Sequence, residues 1–133
     1  MYYNGEDLEW IARQKNLTSE EVIAIHCART YRVFMIGFLP GFAYMGEVDQ
    51  RIAVPRHAAP RTNVKAGSVG IAGSQTGVYP LDSPGGWQLI GQTPLKLFNA
   101  NKNPVCFLAP GDEVRFISIS KEKFEAQYEH PGS

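Results

Sequence analysis

Cysteine is scarce in this chain: two residues in 133, Cys27 and Cys106, with no CxxC pair and no histidine at metal-ligand spacing. That leaves neither a disulfide framework nor a zinc site to organise the fold, and implies two reduced, buried thiols in a cytoplasmic protein. Charge of either sign is not in excess, since 13 basic residues face 13 acidic ones. A neutral surface has no field to recruit nucleic acid or an anionic membrane, so neither is expected as a partner. No apolar run approaches the ~20 residues of a membrane span, and no basic-then-apolar leader opens the chain. The alternation of strand and helix that builds a doubly wound parallel sheet is missing too. What remains is one globular domain over residues 1–133, with 44% hydrophobic and 20% charged content, enough for a real core.

Glycine and proline are abundant, and unevenly placed. Ten of the 13 Gly and six of the 9 Pro fall between Gly37 and Pro94, interleaved with Phe, Tyr, Trp, Ile and Val. Such a mixture is neither helical nor disordered; it reads as short strands turning sharply around a shaped surface. The ends read as helices. Leu8, Ile11, Ala12 and Lys15 form a one-sided stripe, with Asn4 as the expected N-cap. Thr18-Ser-Glu-Glu21 is a capping box, with Leu17 and Val22 placed as a hydrophobic staple. Ser120 is positioned to cap a last helix running to Tyr128, after which residues 130–133 should fray. Between them, strands are expected at 31–35, 51–54, 67–72, 77–79, 87–90, 95–98, 105–108 and 113–119. Short strands in that number, two helices before them and one after, predict a mainly β fold: a closed or nearly closed antiparallel barrel with helical plugs.

Several constellations bear on chemistry. Gly67, Gly70, Gly73 and Gly77 do not match a phosphate loop in spacing, and no helix is expected directly after them, so tight turns and close strand packing account for them better. Ser68, Ser74 and Ser83 lie near glycines without a GxSxG, and His57 reads as a solvated loop residue. Cys27 and Cys106 read as packing residues. Arg56 and Arg61 differ, because each follows a proline in a segment lacking acidic residues. A structural salt bridge and recognition of a carboxylate, carbonyl or phosphate are both open for them. If they serve a ligand, both should be exposed, and alanine at either should hardly change stability. Gln75, Tyr79, Ser83 and Trp87 add polar handles and flat apolar area to the same section. Phe38, Phe42 and Tyr44 alternate around Pro40-Gly41, as core residues or as an aromatic groove for a peptide.

Four phrases carry a resemblance: Gly37-Phe-x-Pro-Gly-Phe-x-Tyr-x-Gly46; the pairs Pro55-Arg56 and Pro60-Arg61; Gly67-Ser-Val-Gly-Ile-Ala-Gly73 with Gln75-Thr-Gly-Val-Tyr-Pro80; and Ser83-Pro-Gly-Gly-Trp-Gln-Leu-Ile-Gly91. In this order they resemble the allophanate hydrolase subunit 1 family, which includes the kinase inhibitor KipI and the B subunit of 5-oxoprolinase. The resemblance implies a cyclophilin-like barrel that forms the C-terminal domain of a longer protein, the smaller N-terminal domain being absent from this chain. It further implies a non-autonomous subunit of a lactam- or amide-cleaving complex, with ATP as co-substrate of the complex and no cofactor bound by this domain. Its partner would be a second subunit of homologous fold, similar to the C subunit of 5-oxoprolinase. The alternative it implies is a KipI-like module that binds and inhibits a sensor histidine kinase. The ligand or interface residues are then expected among Arg56, Arg61, Gln75, Tyr79, Ser83, Trp87, Phe38, Phe42 and Tyr44, with no catalytic set within the chain alone.

Overall fold

The computed structural model describes residues 1–36, 42–95 and 108–128. Two helices lead, α1 (Leu8–Gln14) and α2 (Ser19–Cys27), followed by strands β1 (Tyr31–Ile36), β2 (Ala43–Gly46), β3 (Arg61–Val64), β4 (Ser68–Ala72), β5 (Gln75–Val78), β6 (Ser83–Gly85), β7 (Gln88–Gln92) and β8 (Glu113–Val114), and by helix α3 (Lys121–Tyr128). Six strands form one sheet in the order β7-β4-β5-β2-β1-β8, every pair antiparallel, while β3 and β6 form a separate two-stranded ribbon. The mainly β, antiparallel class is as expected. Closure into a barrel is not seen among the described residues. The outer edge of β7 is instead taken by the N-terminal segment, through a Tyr2–Gln92 bridge and bonds from Gly5 N to Ile90 O (3.1 Å) and Asp7 N to Leu89 O (2.9 Å).

The helices start where their caps dictate, with one exception. At α2, Thr18 Oγ1 accepts from Glu21 N (3.1 Å) and Thr18 N donates to Glu21 Oε1 (3.0 Å), the reciprocal box read from sequence. Ser120 Oγ accepts from Lys123 N (3.2 Å) at the start of α3. The first helix is capped by Asp7 rather than Asn4, and the Asp7 side chain makes no cap bond because its carboxylate is engaged elsewhere. Other expectations need correcting. Residues 51–54 are not a strand: Asp49 accepts from Arg51 N and sets a 3-10 turn (Gln50–Ile52), leaving only a Val54–Gly73 bridge. The strand expected at 113–119 lasts only for Glu113–Val114, where it pairs with β1. Residues 95–98 and 105–108 lie almost wholly outside the described residues, as do 130–133.

The six-stranded sheet has two differently built faces. On one, Ala43, Met45, Val69, Ile71, Val78 and Ile90 pack against Leu8, Ile11, Val22 and Ile25 of the helices. Strand alternation sends their neighbours to the other face, where Phe42, Ala72, Tyr79, Trp87 and Leu89 cluster with Val64 of the ribbon. Gly70 and Gly77 are cross-strand partners on this second face. A Cβ on Gly70 would sit 2.9 Å from Trp87 Cβ and 3.1 Å from Gln88 O, so the glycine pair is the floor on which the indole lies. The expected close strand packing is thus real, and its purpose is to seat an aromatic ring.

The helix-side face contains a histidine that the sequence did not single out. His26 is fully buried, with Nδ1 2.7 Å from Tyr3 Oη and Nε2 3.0 Å from Thr76 Oγ1. Thr76 Oγ1 donates to Gly70 O (2.8 Å), which fixes every proton. The Nε2–H donates to Thr76, Tyr3 donates to Nδ1, and the half-buried Cys27 thiol donates to Tyr3 Oη across 3.0 Å. Burial pushes the His26 pKa down to about 3, against ~6.5 for a free imidazole. Because the folded value is depressed, the neutral ring contributes stability that is complete above pH ~6.5 and is lost as pH falls towards 3. The unfolding free energy from urea titrations should fall by up to ~1.4 kcal/mol per pH unit below 6.5. His26→Gln should flatten that slope between pH 6.5 and 5; an unchanged slope in the variant would assign it to other groups. In a second measurement, Gly70→Ala should cost about 1–3 kcal/mol by overpacking Trp87.

Candidate functional site

The ribbon-side face gathers most of the residues singled out from sequence. Phe42 lies 4.9 Å from Tyr44, 5.2 Å from Tyr79 and 5.3 Å from Trp87, centroid to centroid, and Tyr44 lies 5.8 Å from Trp87. These spacings are those of edge-to-face and tilted aromatic packing. Phe42, Tyr79 and Trp87 are buried, whereas Tyr44 is half-buried and hands the row on to Phe34, which is 49% exposed. The aromatic set is therefore core at one end and open surface at the other. Phe38 lies outside the described residues. Gln75 points to the same face as Tyr79 but four residues away along the strand, ~13 Å at strand rise, and is not brought beside it.

The ribbon closes over Tyr79. Ser83 and Gly85, two residues apart on β6, are both buried while Pro84 between them is exposed. A Cβ on Gly85 would overlap Tyr79 Oη, so only glycine lets the ribbon lie this close. Beneath it, Tyr79 Oη and Ser83 Oγ have no hydrogen-bond partner. The Trp87 backbone approaches the Tyr79 hydroxyl and favours its ionised form, the largest of the effects that oppose burial. Burial pushes the Tyr79 pKa up; the Trp87 backbone and then the Arg61 and Arg56 charges partly oppose that rise. The hydroxyl is thus a protonated donor with two guanidinium groups in its field.

The two arginines part company. Arg56 is exposed and has no hydrogen bond or ion pair with any described residue. Arg61 is half-buried, contrary to the exposure expected for a ligand-reading residue. Its Nη2 donates to Asp7 Oδ1 (2.9 Å) and Oδ2 (2.8 Å), and its Nη1 to Trp87 O (3.3 Å). Asp7 also accepts from Leu89 N (2.6 Å) and sits 3.3 Å from His57 Nε2. His57 is therefore a half-buried partner of this carboxylate rather than a solvated loop residue. Sequence reasoning missed Asp7 because it lies 54 residues from Arg61 and was hidden at the start of a helix. The available signal was an acidic residue immediately before the apolar stripe that starts at Leu8, the position from which a carboxylate caps a helix.

Two cavities bounded by described residues lie away from this face. One, about 340 Å³, is lined by Met45, Val78, Leu95, Leu108, Phe116 and Ile117 among others; the other, about 680 Å³, opens beside Cys27 and Ile23. Among the described residues no three acidic, His or Cys side chains are grouped to hold a metal ion. No described helix is long and apolar enough to cross a membrane.

The family model described as "Carboxyltransferase domain, subdomain C and D" matches residues 1–108. The chain is 53% identical over 125 residues to the 5-oxoprolinase B subunit of Bacillus subtilis, covering 94% of this chain and 52% of that protein. It is 49% identical over 113 residues to the 5-oxoprolinase B subunit of Escherichia coli O157:H7, covering 85% and 52%. Among solved structures, a conserved uncharacterized protein of Pyrococcus horikoshii superposes with a TM-score of 0.89 at 50% identity, over 92% of this chain and 58% of that one. The chain thus spans about half the length of the curated relatives it matches.

The different settings of the arginines have a measurable consequence. Arg61→Ala should lower stability by about 3 kcal/mol, because it strands the buried Asp7 carboxylate. Lysine should restore only part of this, since it lacks the two-pronged fork. Arg56→Ala should change stability by less than about 0.5 kcal/mol. Chemical denaturation of the three variants checks the contrast; equal effects at 56 and 61 would contradict the clamp.

Proposed function

The chain belongs to the family of carboxyltransferase domains, subdomains C and D, and on that premise we propose that it works as part of a subunit in a cytoplasmic, ATP-dependent complex that opens a lactam or cleaves an amide. The observation that carries this reading is the high identity, over nearly the whole chain, to two proteins named as 5-oxoprolinase B subunits. The partner in this reading is a second subunit of homologous fold. ATP is the co-substrate of the assembly; the glycines here have no phosphate-loop spacing, so its binding is assigned to other parts of the complex.

Within the chain, the ribbon-side face supplies the ligand or interface residues. Arg56 offers an uncommitted guanidinium at its rim, while Tyr79 and Ser83 hold unpartnered hydroxyls and Trp87, Phe42 and Tyr44 provide flat apolar area. Arg61 acts through the ribbon it clamps. Gln75 stands as a further contact of the same face, and Phe38, outside the described residues, stays a candidate by its place in the sequence motif. A protein-binding module directed at a sensor histidine kinase is the second reading, favoured by the exposed Phe34 at the open end of the aromatic row. Reconstitution separates the two. The chain alone should release no glutamate from 5-oxoproline and ATP, and the assembly containing it should release glutamate with ADP and phosphate. Turnover by the chain alone, or an inert assembly that instead blocks kinase autophosphorylation, would overturn the proposal.

A further inference from the structure

Two buried polar clusters in this molecule differ in kind. Around His26 every proton has an acceptor. Under the ribbon, Tyr79 Oη and Ser83 Oγ have none, although Tyr79 is 0% and Ser83 7% exposed. A buried hydroxyl without a partner destabilises the state that contains it, and retaining two such groups calls for a reason. They belong to two layers: Ser83 is in the ribbon, on the side of β6 that carries Gly85, and Gly85 abuts the Oη of Tyr79, which follows β5 of the sheet.

The ribbon that carries Ser83 and covers Tyr79 is attached to the sheet without strand pairing. Among the described residues β3 and β6 pair only with each other and make no ladder with the six-stranded sheet. One end is fastened by Arg61 to Asp7 and Trp87 O, with His57 N donating to Gly86 O (2.7 Å). The other end turns where Gly67 N donates to Tyr79 O and Ala66 N to Asp82 Oδ1 (2.7 Å). A two-stranded ribbon fixed at its ends and lacking a ladder beneath can lift as a unit once the Arg61–Asp7 clamp opens.

We propose that the β3–β6 ribbon is a flap that carries the Ser83 hydroxyl and closes it, with the Tyr79 hydroxyl of the sheet below, into an oxygen-binding subsite, and that its occupant is the carboxylate of a small lactam acid entering past Arg56. Two hydroxyl donors match the two oxygens of a carboxylate, and bonds to an ionised acceptor are stronger than bonds to a neutral carbonyl. Burial keeps the Tyr79 hydroxyl protonated, and the field of two guanidinium groups favours an anion beside it. The aromatic floor of Trp87 and Phe42 suits the flat apolar remainder of a lactam ring. This subsite deepens the reading above and rests on it for the identity of the ligand.

The test titrates the full chain, carrying 13Cζ-labelled tyrosine, with 5-oxoproline and separately with 2-pyrrolidinone, the same ring without its carboxylate. The Tyr79 resonance, identified by its loss in Tyr79→Phe, should move with 5-oxoproline and respond at least tenfold more weakly to 2-pyrrolidinone. Tyr79→Phe and Ser83→Ala should keep or raise the thermal midpoint of the empty protein while each weakens 5-oxoproline binding at least tenfold. No movement with 5-oxoproline, equal response to both rings, or variants that lose stability yet bind as the parent does would each overturn the subsite. A reconstituted assembly that still turns over 5-oxoproline in both variants at the parent's KM sinks the subsite alone. Binding as expected, with no assembly ever turning over a lactam, sinks the complex reading and leaves the subsite standing.

Discussion

One buried carboxylate organises this molecule. Asp7 accepts from Leu89 N, from Arg61 Nη2 at both carboxylate oxygens and from the side of His57. The first bond stitches the N-terminal segment to the outer edge of β7, which would otherwise present an unpaired edge. The second fastens the ribbon to the sheet, and the third brings in the proline-rich stretch before it. Three parts of the chain separated by 50 to 82 residues thus share one charge. Its burial is tolerable because all of its neighbours are donors.

From this clamp follows the division of the sheet into two environments. The helix-side face is a closed apolar core crossed by a single directional chain, Cys27 to Tyr3 to His26 to Thr76 to Gly70 O, in which each donor meets an acceptor. Such a chain rigidifies and specifies. The ribbon-side face has aromatic rings seated on a glycine floor, an exposed end at Phe34, an uncommitted Arg56 and orphaned hydroxyls. Buried polar groups left unsatisfied are where function conflicts with stability. The asymmetry between faces, more than any single residue, locates the candidate site.

Local signals were legible wherever the physics is local. The Thr18 capping box and the Ser120 cap stand where their residue types placed them, because capping is settled within four residues. Strands β1, β4 and β7 follow β-branched and aromatic runs. The ribbon was not legible: Arg61-Thr-Asn-Val64 and Ser83-Pro-Gly85 lack a strand pattern, and their pairing joins segments distant in the chain, Arg61 opposite Gly85 and Val64 opposite Ser83. The strand expected at 51–54 failed for the opposite reason, since the Asp49 side chain captures Arg51 N and favours a turn.

The sequence by itself determined the starts of the second and last helices, the mainly β antiparallel class, the zero net charge and, through four glycine- and proline-rich phrases, the family. It also drew attention to one neighbourhood, because Arg61, Tyr79, Ser83 and Trp87 are close in sequence as well as in space. Only the tertiary structure decided which of those residues are committed. Arg61 is taken by a carboxylate 54 positions away, Phe42 and Trp87 are buried against the glycine floor, and Tyr79 and Ser83 are sealed without partners. Commitment depends on long-range pairing and on burial, which set the strength of every charge and hydroxyl, and neither quantity is written in the order of residues along the chain.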